Sequence, residues 1–402
     1  MLEFDELPLH RDSPDIFVGA RATEKLRNIP ACRSGDVLVV TDEHIAIIGS
    51  SLRRVQEVLS QAGMVTTVHR IPIGHLGTLM SASRIADGIR ASRPTLCVAL
   101  GGGAVIDATK LARAAQREPW LLDQSIWSSA RGLLNPPISR TLEGESALVA
   151  VSTRPGSAAH VSDRVCLSAR SGHTRRLVAG RTLLPTAVIA DPEHGLTLGC
   201  RILAETICEV LSRGIEPYLV TERSSRKADR VGGWIVVRTL KLGESLMLGN
   251  DLSSTDRVSL EWLTIATMAG AHIDEWEPSA HPWWCIQNTI AASVPRSKGS
   301  LTAQALPSIL ERVWNGDERF GRMSRWKLLE RHTGLKSSLG GRVLRFLADV
   351  RQQGSGDGTP HRDQLIDQWS HEAVSLWAGL VPWIGRTLKA KDISYFLRDA
   401  GF

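Results

Sequence analysis

One stretch constrains this chain more than any other. Leu96-Cys97-Val98-Ala99-Leu100 runs into Gly101-Gly102-Gly103 and then into Ala104-Val105-Ile106-Asp107-Ala108-Thr109-Lys110. An unbroken apolar run of this length reads as a strand buried on both faces, and the pattern after the glycines is helical through Ala115. A strand that leaves through glycines straight into a helix brings bare backbone N–H groups to the helix's positive end. No Cβ stands in the way there, so a pyrophosphate can settle on it. Gly101, Gly102 and Gly103 are therefore candidate cofactor-binding residues. Asp107 and Lys110, three apart on one helix face, are candidates with them. Taken alone, the triplet also fits a plain strand-to-helix turn with no ligand.

The segments around this turn repeat its logic. Asp15–Gly19 and Asp36–Val40 read as strands, and Thr41-Asp42 ends the second. Ser51–Ala62 has helical spacing, Thr66–Ile71 strand character, Leu79–Ala91 helical spacing again, and Ala147–Thr153 is a further strand. Such alternation predicts an α/β domain with a doubly wound, mostly parallel sheet. In such a sheet ligands lie at the C-terminal ends of the strands. A carboxylate at Asp42 can accept bonds from a ribose diol and repel a 2′-phosphate, which favours NAD. It can equally serve as the N-cap of the next helix. From about Pro192 the spacing turns helical, over Ala204–Val220, Asp229–Met247, Arg257–His272 and Gln304–Asn315. The expected division is thus an α/β dinucleotide-binding domain over 1–191 and an all-α domain over 192–402.

With 402 residues, 43% of them hydrophobic, the chain can bury two large cores. Its net charge of +6 is dispersed without a Lys/Arg block, which argues against nucleic acid as a partner. The six cysteines show no CxxC spacing and read as reduced thiols of a cytoplasmic protein. No apolar run reaches the length of a membrane span, and residues 1–15 lack the apolar core of a signal peptide. Gln352–Gly358 reads as a surface loop.

The pattern GGGxxxDxxK after an apolar strand resembles the iron-containing alcohol dehydrogenase family, whose fold is shared with dehydroquinate synthase and glycerol dehydrogenase. Leu183-Leu184-Pro185-Thr186-Ala187-Val188-Ile189-Ala190-Asp191-Pro192 is similar to that family's last strand and exit, and Lys389–Ile393 to its C-terminal end. The resemblance implies NAD as cofactor and a homodimer. It also implies a nicotinamide-side role for the loop after the strand at Ala147, where Ser152, Thr153 and Ser157 partly keep the family's hydroxyl-rich run. Arg154, Pro155 and Ala158 depart from that run, and Pro155 removes a backbone donor.

The family holds one divalent metal with an aspartate and three histidines from the helical domain. Aligning Ile215-Glu216-Pro217-Tyr218 on its Ile-Glu-x-Tyr puts Glu209 at the aspartate and Arg213 at the first histidine. A guanidinium has no lone pair to give a metal, and here it would pair with Glu209 four residues away. For the remaining ligands two alignments stay open. One sets His281-Pro282 on the family's His-Pro, with Glu277 and Ala291 as ligand positions. The other puts Arg296 at the last histidine. Either way a bound divalent metal is not expected. Arg213, His281 and Arg296 become the candidates to activate a substrate oxygen, with Glu209 and Glu277 as remnants. His272, Asp274, Glu275, Glu277 and His281 form a remodelled site or ordinary loop polarity. Trp262, Trp276, Trp283 and Trp284 fill a core or mark a partner surface.

Two functions follow. One is a metal-free NAD(H) oxidoreductase acting on a small-molecule or peptide alcohol or carbonyl. The other is a catalytically degenerate scaffold serving a partner enzyme, as in biosynthesis of modified ribosomal peptides of the daptide type, where divergent members of the family occur. Sugar-phosphate cyclisation of the dehydroquinate synthase kind is weaker, because that branch needs a metal set too.

Overall fold

Strand β4 (Leu96–Gly101) is buried at every residue, as its unbroken apolar run requires. The computed structural model describes residues 8–32, 35–134, 146–170, 175–276, 281–335, 337–353, 362–381 and 383–402. Within them β4 lies between β2 (Asp36–Asp42) and β6 (Ala147–Ser152). Beyond β2 comes β3 (Val65–Ile71), and beyond β6 come β9 (Ala187–Ala190) and the edge strand β1 (Asp15–Val18). The order is β1-β9-β6-β4-β2-β3, and every neighbouring pair is parallel.

The period of two sorts the strands' side chains onto two cores. Leu38, Val40, Cys97, Ala99, Leu148 and Ala150 face α3 (Leu79–Ser92) and α4 (Gly103–Ala114). Val37, Val39, Leu96, Val98, Leu100 and Val149 face the other way, toward α2 (Ser50–Gln61) and a 3-10 helix at Ala22–Asn28. Both faces are covered, which is why these strands are nearly all apolar. A smaller sheet has β5 (Leu133–Leu134) beside β8 (Arg175–Ala179) and β8 antiparallel to β7 (Arg164–Ser168). Residues 171–174, between these two strands, lie outside the described residues.

The helical unit is built on α6 (Cys200–Val220), α7 (Arg226–Met247), α8 (Ser254–Ala269), α9 (Pro282–Ile290) and α10 (Lys298–Trp314). Helices α12 (Leu339–Gln353), α13 (Arg362–Trp377) and α14 (Ala390–Asp399) add to its single core. Gly299 opens α10 directly against α6. A Cβ there would lie 2.0 Å from the Glu205 carbonyl oxygen, so only glycine lets the two helices approach this closely.

The division into units corrects the expected boundary. One unit is Asp12–Thr197, and the stretch before it belongs with Leu198–Phe402. His10 N donates to Ala269 O at 2.7 Å and Ala271 N to Pro8 O at 2.7 Å, tying the N-terminal segment to the end of α8. That helix stops at Ala269, leaving His272 in a 3-10 turn. Gln352 and Gln353 close α12 instead of opening a loop, and 354–361 lie outside the described residues. Among the described residues no helix is long and apolar enough to cross a membrane.

Candidate functional site

In the α/β unit the parallel register lines up the strand ends. Gly101 pairs with Ser152, and Ser152 with Ala190. Thr153 N donates to Gly101 O at 3.2 Å, so the loop after β6 continues alongside the glycines. Helix α4 then begins at Gly103 with Gly102 as its N-cap, and no side chain caps it. The Gly102 carbonyl accepts from Val105 N and Ile106 N, at 3.1 and 3.2 Å.

The three glycines do different things. A Cβ on Gly101 would lie 2.7 Å from Val105 Cγ2, and one on Gly103 would lie 2.8 Å from Ser157 Oγ. Those two are glycines because of packing. A Cβ on Gly102 would meet nothing within 4 Å. An uncapped helix N-terminus beside an open glycine is a cradle for an anion, and it fits the pyrophosphate of a dinucleotide. Ser157 is exposed beside it, with its Oγ accepting from Ala159 N at 3.3 Å. Ala158, buried, holds a left-handed φ of +54°, a costly conformation for a residue with a Cβ and one that concentrates at functional loops. Ser152 is buried and its Oγ donates to Arg154 O at 3.2 Å, within its own loop.

Asp42 caps the next helix, α1 (Glu43–Ile48): its Oδ1 accepts from Ile45 N at 2.9 Å. The cap is thus real, whatever its other oxygen does. Lys110 is placed differently from the cofactor reading. Its side chain is fully buried, and Nζ donates to Ala159 O at 3.0 Å, Ser162 O at 2.7 Å and Arg164 O at 2.5 Å. Three donors for three carbonyls leave none for a phosphate. Asp107, 3.7 Å from Nζ, accepts from Cys166 N at 2.9 Å. Together the two residues clamp the segment from Ala159 to Cys166 against α4. Burial pushes the Lys110 ammonium down to about 8, against the opposing pull of Asp107.

In the helical unit, Glu209 and Arg213 face each other one turn apart on α6. Arg213 Nη1 lies 3.4 Å from Glu209 Oε2, and Nε donates to Thr267 Oγ1 at 3.0 Å. Burial lowers the guanidinium's pKa while Glu209 raises it. His281 does not join them. Its Nδ1 sits 2.8 Å from Glu216 Oε2, and Ser212 Oγ donates to the same carboxylate at Oε1. His281 and Glu216 are both buried, and an ionised carboxylate accepts only, so the bond between them puts a proton on Nδ1. The sequence reading missed Glu216 and Ser212 as site residues. Glu216 served only to fix an alignment, although a buried acid mid-helix is itself a signal.

Arg296 is elsewhere again. Its Nη1 donates to Gln304 Oε1 at 2.6 Å, Nε and Nη2 donate to Ser300 Oγ, and the guanidinium lies 5.9 Å from the Phe402 ring centroid. The expectation that it joins Arg213 and His281 is not met in these contacts. The loop acids also disperse. Asp274 pairs with His10 at 3.0 Å, Glu275 Oε1 accepts from Ser225 Oγ at 2.8 Å, and His272 is buried against Trp276. Trp276 and Trp283 belong to the core, and Trp283 Nε1 donates to Thr302 Oγ1 at 3.1 Å. Glu277 lies outside the described residues.

Glu209 is turned to Arg213, and among the described residues no three His, Cys, Asp or Glu side chains converge.

Comparison with known proteins bears on these features in turn. The model of the iron-containing alcohol dehydrogenases matches residues 13–192. The matched residues include the glycine cradle. The fold likeness reaches further. The iron-containing alcohol dehydrogenase of Thermococcus thioreducens superposes with a TM-score of 0.77 at 19% identity, covering 96% of this chain and 98% of that one. NADH-dependent butanol dehydrogenase A of Thermotoga maritima gives 0.78 at 15%, covering 96% of each. Among curated relatives, the aldehyde-alcohol dehydrogenase of Streptococcus pneumoniae is 23% identical over 251 residues, 62% of this chain but only 28% of that protein's length. The phosphonoacetaldehyde reductase of Streptomyces viridochromogenes is 31% identical over 137 residues, 34% of each chain.

Proposed function

We propose that this chain binds NAD(H) on the first turn of α4 and acts on an alcohol or carbonyl without the family's metal. The observation that carries this reading is the uncapped N-terminus of α4 beside an open Gly102. It lies within the residues that match the family model. Bound there, the nicotinamide cofactor supplies the hydride acceptor or donor. The protein's part is then positioning and proton handling. The first backbone N–H groups of α4 hold the pyrophosphate, and the free valence of the Asp42 carboxylate is available to a ribose hydroxyl. Ser157, exposed next to Gly103, offers a further hydroxyl. His281 is the proton-handling residue: Glu216 fixes its tautomer, and Ser212 fixes Glu216. A base at Nε2 can take an alcohol's proton or return it to an alkoxide. Arg213 keeps a cation off Glu209, because it already takes that carboxylate and has no lone pair to offer a metal.

Two measurements on one preparation test this. Titration with NADH, followed by fluorescence or calorimetry, should show saturable one-site binding, and flat titrations would remove the basis of the proposal. Elemental analysis should show iron and zinc well below one per chain. A stoichiometric metal held through Glu209 would contradict the metal-free reading.

The dispersal of Glu209, Arg213, His281 and Arg296 among separate partners favours a second reading. In it the chain has kept the fold and the dinucleotide cradle and serves as a subunit for another enzyme, for instance in the biosynthesis of modified ribosomal peptides. Its partner would then be that enzyme, or a second copy of itself. A partner enzyme whose turnover depends on this chain would support that reading, and full alcohol oxidation by this chain alone would exclude it.

A further inference from the structure

A cavity of about 430 Å³ opens in the helical unit between the start of α6, the loop before α10, the end of α12 and α13. Its volume is that of a small-molecule site. Four guanidiniums line it, from Arg201, Arg296, Arg351 and Arg362, against one carboxylate, Glu205. That carboxylate is already committed, accepting from Arg201 Nε at 3.1 Å and from Ser297 Oγ at 2.7 Å. Arg351 and Arg362 make no ion pair among the described residues, and both are exposed. Arg296 donates to oxygens of Ser300 and Gln304. Four guanidiniums against one carboxylate leave the lining net positive, and that repulsion is relieved when an anion enters. The floor is of opposite character: Ile290, Leu301, Val350, Trp369 and Phe402 are all buried side chains with an edge on the cavity.

We propose that this cavity binds a small organic anion, a carboxylate or phosphate monoester attached to a hydrocarbon body. The head group would bridge Arg351 and Arg362 at the rim, with Arg201 and Arg296 on its other side. Planar, forked guanidiniums suit both head groups. The hydrocarbon would lie on Trp369 and Phe402. All lining residues belong to the helical unit, so the site stands or falls independently of NAD(H) binding.

Calorimetry on the full chain with octanoate, octyl phosphate and inorganic phosphate tests this. One or both octyl probes should bind, and inorganic phosphate should bind at least ~10-fold more weakly because it leaves the apolar floor uncovered. The tighter of the two octyl probes identifies the head group. The double variant Arg351→Glu/Arg362→Glu, made at exposed rim positions, should weaken the octyl probe by ~100-fold with its melting temperature unchanged. Gly102→Val should leave octyl binding as it was, separating this cavity from the dinucleotide cradle. No binding of either octyl probe at millimolar concentration would overturn the proposal. So would binding that survives the double charge reversal, or inorganic phosphate binding as tightly as the eight-carbon probes.

Discussion

The strand edge of the α/β unit and the α6 face of the helical unit are built from different parts. At the strand edge the backbone does the work. Gly101 and Gly103 are fixed by what they touch, Gly102 by what it does not, and the helix start between them is left uncapped. On α6 side chains would have to do the work, and here they are committed to one another: Glu209 to Arg213, Glu216 to Ser212 and His281. A site made of backbone survives many substitutions around it, because N–H groups come with any residue but proline. A site made of converging side chains depends on the identity of each of them.

Experiments can break or sharpen that contrast. The largest effect is expected at Lys110, which serves the cradle only by holding its neighbouring segment. Lys110→Met leaves three carbonyls without their donor and should cost roughly 3–5 kcal/mol in urea unfolding. A loss below 1 kcal/mol, accompanied by weaker NADH binding, would return Lys110 to the ligand. Next comes Gly102→Val, which fills open space. NADH affinity should fall ~100-fold with the melting temperature unchanged, because no protein atom is displaced. Unaltered affinity would mean that the cradle holds nothing.

His272 gives a pH test of the helical unit. Burial lowers its pKa from 6.5 to about 3, so the folded state excludes a proton that the unfolded state binds. Stability attached to this group is complete above pH 6.5 and is lost as the pH falls from there toward 3. At pH 5 the loss is about 2 kcal/mol, and His272→Phe, which keeps a ring against Trp276, should abolish it. Identical acid-side curves for the two proteins would show that His272 finds a partner when it is protonated. The smallest effect belongs to Arg213→Met. The two side chains are only 16% and 18% exposed, so leaving Glu209 without its partner should cost about 1–2 kcal/mol. If that variant instead takes up stoichiometric iron or zinc, the arginine alone was excluding the ion.

Much of the α/β unit was legible because its signals are local. The unbroken apolar strands, the three glycines and the helical spacing on either side each depend on a few consecutive residues, and the strands at Leu96, Ala147 and Thr66 lie within a residue or two of where the pattern puts them. The residues around the cradle were legible as a set but not in their roles. Nothing in the spacing of Asp107 and Lys110 says that both turn toward the segment from Ala159 to Cys166, which is some fifty residues away. The helical unit was legible as helices and as a pair at Glu209 and Arg213, since four-residue spacing fixes that contact. It was not legible where partners are distant: Glu216 with His281 is separated by 65 residues, and Arg325 with Asp229 by 96.

What the sequence determined by itself is the backbone's share of this protein: a strand, three residues without Cβ, a helix, and the alternation that stacks them into a parallel sheet. Those properties follow from periodicity and from sterics within a few residues. Only the tertiary structure decided which charges meet. It turned Lys110 inward, gave His281 to Glu216, set Arg296 beside Ser300 and Phe402, and gathered arginines from four separate segments around one cavity. A side chain's partner is chosen by the packing of elements far apart in the chain, and no local pattern encodes that choice.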